Sequence, residues 1–392
     1  MHCGFRRFCS SGAVGVAAGV LALRSRRASF ALPPEPKACF GVVADVQYAD
    51  VDDAWNFRRT QKRRYRGALE ALKLAVEDWK KGPPLLFIAD LGDIIDQQCE
   101  ANNDSERALQ LVLDAWQDAP AHVVHLMGNH ELYNFNREEA KTLIPNIFPW
   151  YRRLQLVPGW RFLILDAYDL NVIEKGGGPA VEEGIAYISE HNPNDLRAPR
   201  GTIDMSAGLS GLQKRFVPMG GGIKPEQLQW LREELEDAAA SGDRAVVLTH
   251  LPVRPEATVA PALLWNYDDI LQVFRDFAGV VPLVLAGHYH EGGYAWDPES
   301  LTHHATWITS KPLEACTGST LAALAALTIS IFKKHIYPFC LTCKVTLPSP
   351  LNAPEDKPTA HGLVELWDDK IVIRGHGIVP SRDLSLVPPC KL

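Results

Sequence analysis

The chain has no surplus of positive charge, no dense set of cysteines and no long apolar run, and each absence removes a class of function. Its 392 residues carry 40 Lys+Arg against 47 Asp+Glu, a formal net charge of −7. There is thus no basic field of the kind that gathers nucleic acid, and no nucleic-acid partner is expected. The eight cysteines, Cys3, Cys9, Cys39, Cys99, Cys316, Cys340, Cys343 and Cys390, are too thinly spread for a disulfide framework. Cys340 and Cys343 form a CxxC with neither a second CxxC nor an HxxxH beside it, short of the four ligands of a structural zinc site. The apolar run 13–23 is too short to cross a bilayer, and no other segment qualifies. A soluble mature protein with no membrane span is expected.

Acidic residues are missing altogether from Met1 to Pro34, whereas Arg6, Arg7, Arg24, Arg26, Arg27 and several serines are present. That composition suits an organellar transit peptide, which would direct the protein to a mitochondrion or another organelle. A secretory signal is the rival reading, and the arginine cluster just after the apolar run argues against it. A plain disordered tail on a cytoplasmic protein is the other alternative. Residues 1–36 are therefore set apart from a domain over 37–382, with a short tail at 383–392.

What is present is ordinary in bulk and specific in pattern. Apolar residues make up 46% and charged residues 22%, as in soluble globular proteins, and the length supports a sizeable core. Short aliphatic runs predict strands at 38–44, 85–89, 122–126, 160–165, 244–249 and 280–286. Apolar spacing and breakers predict helices at 61–80, 105–115, 225–240 and 267–277, and a hairpin at 363–367 and 370–374. The Gly- and Pro-rich stretch 175–223 reads as a long functional loop region, and its part 208–222 could cover a substrate. Strands and helices alternate, and polar residues cluster just after the strands. The expectation is an α/β fold with its site at the carboxyl edge of a central sheet.

Five short motifs occupy those strand ends: Asp45-Val46-Gln47, Gly92-Asp93-Ile94-Ile95-Asp96, Gly128-Asn129-His130-Glu131, Thr249-His250 and Gly287-His288-Tyr289-His290. Read singly, each is weak, since a histidine after a strand is more often structural. Together and in order they form a donor set of carboxylate, amide oxygen and imidazole, which suits Mn, Fe or Zn more than Ca or Mg. Two divalent ions about 3.5–4 Å apart can clamp a phosphate and activate water between them. A carboxylate must bridge ions that close, and Asp93 is the natural candidate. Glycines before Asp93, Asn129 and His288 permit tight turns there.

The ordered set resembles the calcineurin-like metallophosphoesterase superfamily, with its DxH, GDxxD, GNHE, H and GHxH blocks. Gln47 stands where most members have His, which resembles one branch, the manganese-dependent ADP-ribose/CDP-alcohol diphosphatases. The stretches FGVVADVQYAD (40–50), GLSGLQ (208–213), LWNY (264–267), GGY (292–294) and RGHGIVPSR (374–382) agree with that branch. The resemblance implies a β-sandwich flanked by helices. It places one metal on Asp45, Gln47, Asp93 and His290, and a second on Asp93, Asn129, His250 and His288. Manganese is the metal it implies, with Fe, Zn or Mg as alternatives. It makes His130 the catalytic side chain beside the metals, donating to a phosphate oxygen or to the leaving group. Asp96 and Glu131 would orient ligands. Phe57 could stack on a base, Arg63 (with Arg58 near it) could hold a phosphate, and Asn266 and Tyr267 could line a nucleotide pocket, though packing or a solvated face explains these equally well.

The implied reaction is hydrolysis of the phosphoanhydride in nucleoside diphosphate derivatives by a hydroxide activated between the two metals. ADP-ribose would give AMP and ribose 5-phosphate, and a CDP-alcohol such as CDP-choline would give CMP and the phosphoalcohol. The alternatives are a cyclic nucleotide or other phosphoesterase on the same site, and a non-catalytic phosphate-binding module. A monomer is expected. Between 308 and 344 the resemblance lapses, with an apolar stretch, Lys333-Lys334 and the lone CxxC set between matching flanks. That segment is expected to be spurious, such as a retained intron, or else a family-unusual insertion carrying an amphipathic interaction helix.

Overall fold

The computed structural model describes residues 34–306, 349–353 and 359–387, apart from 57, 58, 60, 149 and 200. The candidate leader up to residue 33, the segment 308–344 with its CxxC, and the end of the tail lie outside the described residues. The elements below belong to the compact unit that begins at Pro36.

The strands are, in chain order, β1 (Ala38–Val43), β2 (Ala54–Trp55), β3 (Lys62–Arg63), β4 (Ile88–Asp90), β5 (Val123–Leu126), β6 (Ile147–Phe148), β7 (Arg152–Val157) and β8 (Trp160–Ile164). There follow β9 (Arg244–Thr249), β10 (Leu283–Ala286), β11 (Gly293–Asp297), β12 (Thr302–Thr306), β13 (Ala360–Leu366), β14 (Lys370–Gly377) and β15 (Arg382–Ser385). The α-helices are α1 (Tyr65–Lys81), α2 (Gln98–Ala101), α3 (Ser105–Trp116), α4 (Asn129–Asn134), α5 (Arg137–Leu143), α6 (Pro179–Ser189), α7 (Pro225–Ser241) and α8 (Tyr267–Asp276).

Two mixed sheets result. The first runs β15-β14-β13-β1-β4-β5-β6 and the second β11-β12-β10-β9-β8-β7. Each has a parallel centre: β1, β4 and β5 in the first, and β8, β9 and β10 in the second. The strands β1 and β8 are buried along their whole length, which is why they read as unbroken apolar runs and not as alternating ones. Their inner faces share one core. Phe40, Phe87 and Phe162 form its centre, with ring centroids 4.9–5.3 Å apart, and Val246, Leu248, Leu283 and Leu285 join them from the second sheet. This is the flanked β-sandwich that the resemblance implied.

Helices cover the outer faces. On α1 the spacing of Leu69, Leu72, Val76 and Trp79 turns one buried stripe inward, and Trp79 stacks on Trp116 of α3 at 6.1 Å. The helix α7 starts with Pro225 in its first turn and stops at Gly242, whose φ of +71° is the left-handed conformation a terminating glycine adopts cheaply.

Three expectations need correction. The helix predicted from residue 61 begins at Tyr65, because Lys62–Arg63 pairs with Ala54–Trp55 as a small hairpin. The stretch 175–223 is not all loop, since α6 lies within it, started by Pro179 after Gly178. The predicted closing hairpin is longer at its outer ends, reaching Ala360 and Gly377.

Candidate metal centre

The parallel strands of both sheets end at one edge, and every motif leaves from it. Asp45 follows β1, Asp93 follows β4, Asn129 opens α4 after β5, His250 follows β9, and His288 and His290 follow β10. The loops continue to bind one another beyond the strands: Asp45 N–H donates to Gly92 O at 2.9 Å and Gln47 N–H to Asp93 O at 2.8 Å. The hydroxyl of Ser349 donates to Asp45 O at 2.7 Å, so the chain beyond the 308–344 segment returns to this site.

Four of the seven predicted donors have positive φ: Asp45 (54°), Gln47 (44°), Asp93 (62°) and His288 (67°). Non-glycine residues rarely adopt this region, at a cost of about 1–3 kcal/mol each, and such strain concentrates at functional sites. Glu131 holds two of the loops in place. Its Oε2 accepts from Asp93 N–H and Gly128 N–H, both at 2.8 Å, and its Oε1 accepts from Ile94 N–H at 2.7 Å. A side chain at Gly128 would run into the Asp93 carboxylate and its amide, so the close approach of these loops requires glycine there.

The donors meet in a buried cluster. Asp93 Oδ2 lies 3.4 Å from His250 Nε2 and 2.8 Å from Gln47 Nε2. Asp45 Oδ1 is 3.2 Å from His290 Nε2, and Asn129 Oδ1 is 2.8 Å from His288 Nδ1 and 3.3 Å from His250 Nε2. Two groups within metal-binding reach therefore share Asp93: one with Asp45 and His290, the other with His250 and His288. The ring of His250 lies 2.7 Å through Nδ1 from Leu91 O. A carbonyl can only accept, so Nδ1 carries the proton and Nε2 faces the cluster.

The electrostatics call for a cation. Burial opposes charge on Asp93, yet the facing His250 and His130 hold its carboxyl well below the usual carboxylate range. Burial likewise opposes charge on His250, but Asp93 pushes it up to about 10. His288 goes the other way, lowered by burial and then by the charge of His250. Positive charge is thus demanded where His250 Nε2, Asp93 and Asn129 converge, and divalent ions would supply it. Gln47 Oε1 is buried with no hydrogen-bond partner, and rotating the amide half a turn sets that oxygen among the other donors. The residues fit two divalent ions, with Asp93 between them.

His130 is largely buried at the margin of the cluster, with Nε2 3.9 Å from Asp93 Oδ2. Its Nδ1 accepts from Gln97 N–H at 2.8 Å, which places the proton of the neutral ring on Nε2, toward the donors. Burial lowers its pKa, against the opposing pull of Asp93 and Asp96. Asp96 Oδ2 stands 3.7 Å from His130 Nδ1 and 3.9 Å from Arg63 Nη1, so Arg63 is linked to His130 through one carboxylate. Phe57 and Arg58 lie outside the described residues. Asn266 commits its amide to Ile223, accepting from the N–H at 3.1 Å and donating to the carbonyl at 2.9 Å. Tyr267 packs beside the core with the Arg215 guanidinium 5.2 Å over its ring. Neither side chain is among the groups that meet at the donor cluster.

One contributor escaped the motifs. Tyr168 is fully buried, donates its hydroxyl to Asn129 Oδ1 at 3.0 Å and lies 5.9 Å from the His250 ring. Arg137 fixes the turn that carries it through a 2.7 Å bond to Asp166. The strand-end rule applied to β8 would have pointed to Asp166 and Tyr168 as well.

The family model described as calcineurin-like phosphoesterase matches residues 40–292. A mouse protein named manganese-dependent ADP-ribose/CDP-alcohol diphosphatase is 33% identical over 90% of this chain and 94% of its own length. A rice protein of the same name is 36% identical over 69% of this chain and 83% of its own. The crystal structure of a dimetal phosphatase from Danio rerio superposes with a TM-score of 0.72 at 29% identity, covering 90% of this chain and all of that one.

Proposed function

The chain belongs to the calcineurin-like phosphoesterase family, and from that premise we propose that this metal-dependent hydrolase cleaves the phosphoanhydride of nucleoside diphosphate derivatives. ADP-ribose and water would give AMP and ribose 5-phosphate; CDP-choline and water would give CMP and phosphocholine. The observation that carries the substrate class is the similarity to the mouse diphosphatase over 90% of this chain. Gln47, the position on which the resemblance to that branch turns, is buried with Nε2 2.8 Å from Asp93 Oδ2 and 3.0 Å from His290 Nε2.

Asp45, Gln47, Asp93 and His290 would hold one ion, and Asp93, Asn129, His250 and His288 the other, with manganese the metal named for the relatives. When bound, two such ions activate water, bind phosphate oxygens and steady the leaving oxygen. The protein's own part begins with His130: its Nε2–H is aimed beside Asp93 and donates to a phosphate oxygen or to the departing phosphate. The Asp93 amide N–H donates to Glu131 Oε2 at 2.8 Å, and the Asp93 carboxylate accepts through Oδ1 from the His130 backbone N–H at 2.9 Å. Tyr168 donates its hydroxyl to Asn129 Oδ1, so that oxygen is aimed before substrate arrives. The small hairpin β2–β3 presents Trp55, 60% exposed, beside an open cavity of about 650 Å³ lined also by Asn56 and Arg59. Arg63 of the same hairpin stands 3.9 Å through Nη1 from Asp96 Oδ2, the carboxylate oxygen that lies 3.7 Å from His130 Nδ1.

A substrate panel with purified protein and manganese tests the reading. AMP from ADP-ribose or CMP from CDP-choline is expected. Turnover of cyclic nucleotides or simple phosphoesters, with neither diphosphate derivative cleaved, would replace it.

A further inference from the structure

We propose that Asp78, His361 and His376 form a separate zinc-binding site that ties helix α1 to the β13–β14 hairpin. These residues share nothing with the donor cluster described above. His361 and His376 stand directly opposite each other in the register of β13 and β14, so both side chains leave the same face of the sheet. Their rings lie 4.6 Å apart at 15°. Asp78, in the last turn of α1, points Oδ2 at both: 3.6 Å from His361 Nε2 and 3.8 Å from His376 Nδ1. Its other oxygen, Oδ1, faces Lys81 at 3.8 Å. The three donor atoms lie within 4.8 Å of one another. A tetrahedral zinc with bonds of about 2.0–2.1 Å has ligand-to-ligand edges of roughly 3.3–3.4 Å, so closing the set needs edges to shorten by tenths of an ångström to about 1.4 Å and one of the stacked rings to turn its nitrogen toward the ion.

His361 is completely buried, yet neither of its ring nitrogens has a hydrogen-bond partner. A buried polar atom in that state is rare and calls for an unseen partner. Trp79 packs edge-on against His361 at 5.0 Å and donates its indole N–H to Gly362 O at 3.1 Å, which fixes the helix and the hairpin relative to each other at this point. The Asp78 and His376 side chains are 37% and 42% exposed, and both border an open cavity of about 420 Å³, which gives an ion a way in. Two imidazoles and one carboxylate suit zinc, and the exposed side leaves a fourth position for water. A bound ion would join α1 to strands nearly three hundred positions later in the chain, acting as a staple on the closing hairpin.

The test uses the full chain, stripped with chelator, loaded with Zn²⁺ alone, dialysed, and counted by elemental analysis. The comparison is with His376→Ala and with the near-isosteric Asp78→Asn, each checked for native circular dichroism. Each variant should retain one zinc per chain fewer than the wild type, and the zinc-dependent rise in Tm should shrink in both. Manganese-dependent turnover by His376→Ala should match the wild type. Equal zinc content in the wild type and both variants would overturn the site and leave the histidines as a stacked pair.

Discussion

Replacing Glu131 by Gln tests how the donor loops are held, because the change removes a charge and one acceptor while keeping the shape. Glu131 receives three backbone N–H groups, two on Oε2 and one on Oε1. In the variant the amide oxygen can take the place of Oε2 and keep two of these bonds. The amide NH₂ then opposes Ile94 N–H, so one charge-assisted bond of about 1.5–3 kcal/mol is lost and a buried donor is stranded. Relief from burying a carboxylate beside Asp93, which together raise the Glu131 pKa, offsets part of this. A net loss of about 2–4 kcal/mol is expected. The loops that relax carry Asp93 at φ +62°, a conformation maintained only while its surroundings enforce it. Metal affinity should therefore fall by roughly 10–100-fold, the usual effect of losing a group that orients ligands. Isothermal titration of the metal-free protein with Mn²⁺, beside thermal unfolding, measures both. Wild-type affinity and wild-type Tm in Glu131→Gln would refute the idea that these three bonds hold the site.

Two further outcomes follow from particular side chains. His130→Ala should lower kcat by about 10²–10⁴-fold while leaving the manganese content unchanged, since the ring donates to substrate and not to an ion; equal loss of metal and activity would make it a ligand instead. His304 is buried with neither ring nitrogen hydrogen-bonded, and burial, then the Arg254 charge, push its pKa down to about 3. Its unfolded-state pKa is near 6.5, so below that pH the unfolded chain binds a proton that the native state refuses, and stability falls as pH falls. The contribution is roughly 1.4 kcal/mol per pH unit from about pH 6.5 down toward the folded pKa. Urea unfolding of the wild type and His304→Phe should show a shallower acid dependence in the variant; parallel curves would show that His304 titrates normally in the fold.

The donor set was legible because each member follows an aliphatic run: 38–43 before Asp45, 244–249 before His250, 283–286 before His288. What alternation could not tell was that these runs belong to two sheets; periodicity describes one strand and its burial, not which strand lies across the core. The strained backbone of Asp45, Gln47, Asp93 and His288 was equally hidden, because nothing in an Asp or a Gln announces positive φ. Tyr168 was passed over since an aromatic after WRFLI reads as core, which by burial it also is. The hairpin β2–β3 pairs only two residues on each side, too few for a period-two signal. The helix α6 was masked by the glycines at 176–178, although Pro179 behind them was a start signal.

Electron paramagnetic resonance of the manganese-loaded chain tests most directly whether Asp93 joins two ions in one centre. The wild type should give the broad signal of a spin-coupled manganese pair, together with release of AMP from ADP-ribose or CMP from CDP-choline, and Asp93→Ala should lose both the coupling and the turnover. A wild-type spectrum of isolated ions alone, or coupling and turnover that survive in Asp93→Ala, would contradict the shared-ligand centre.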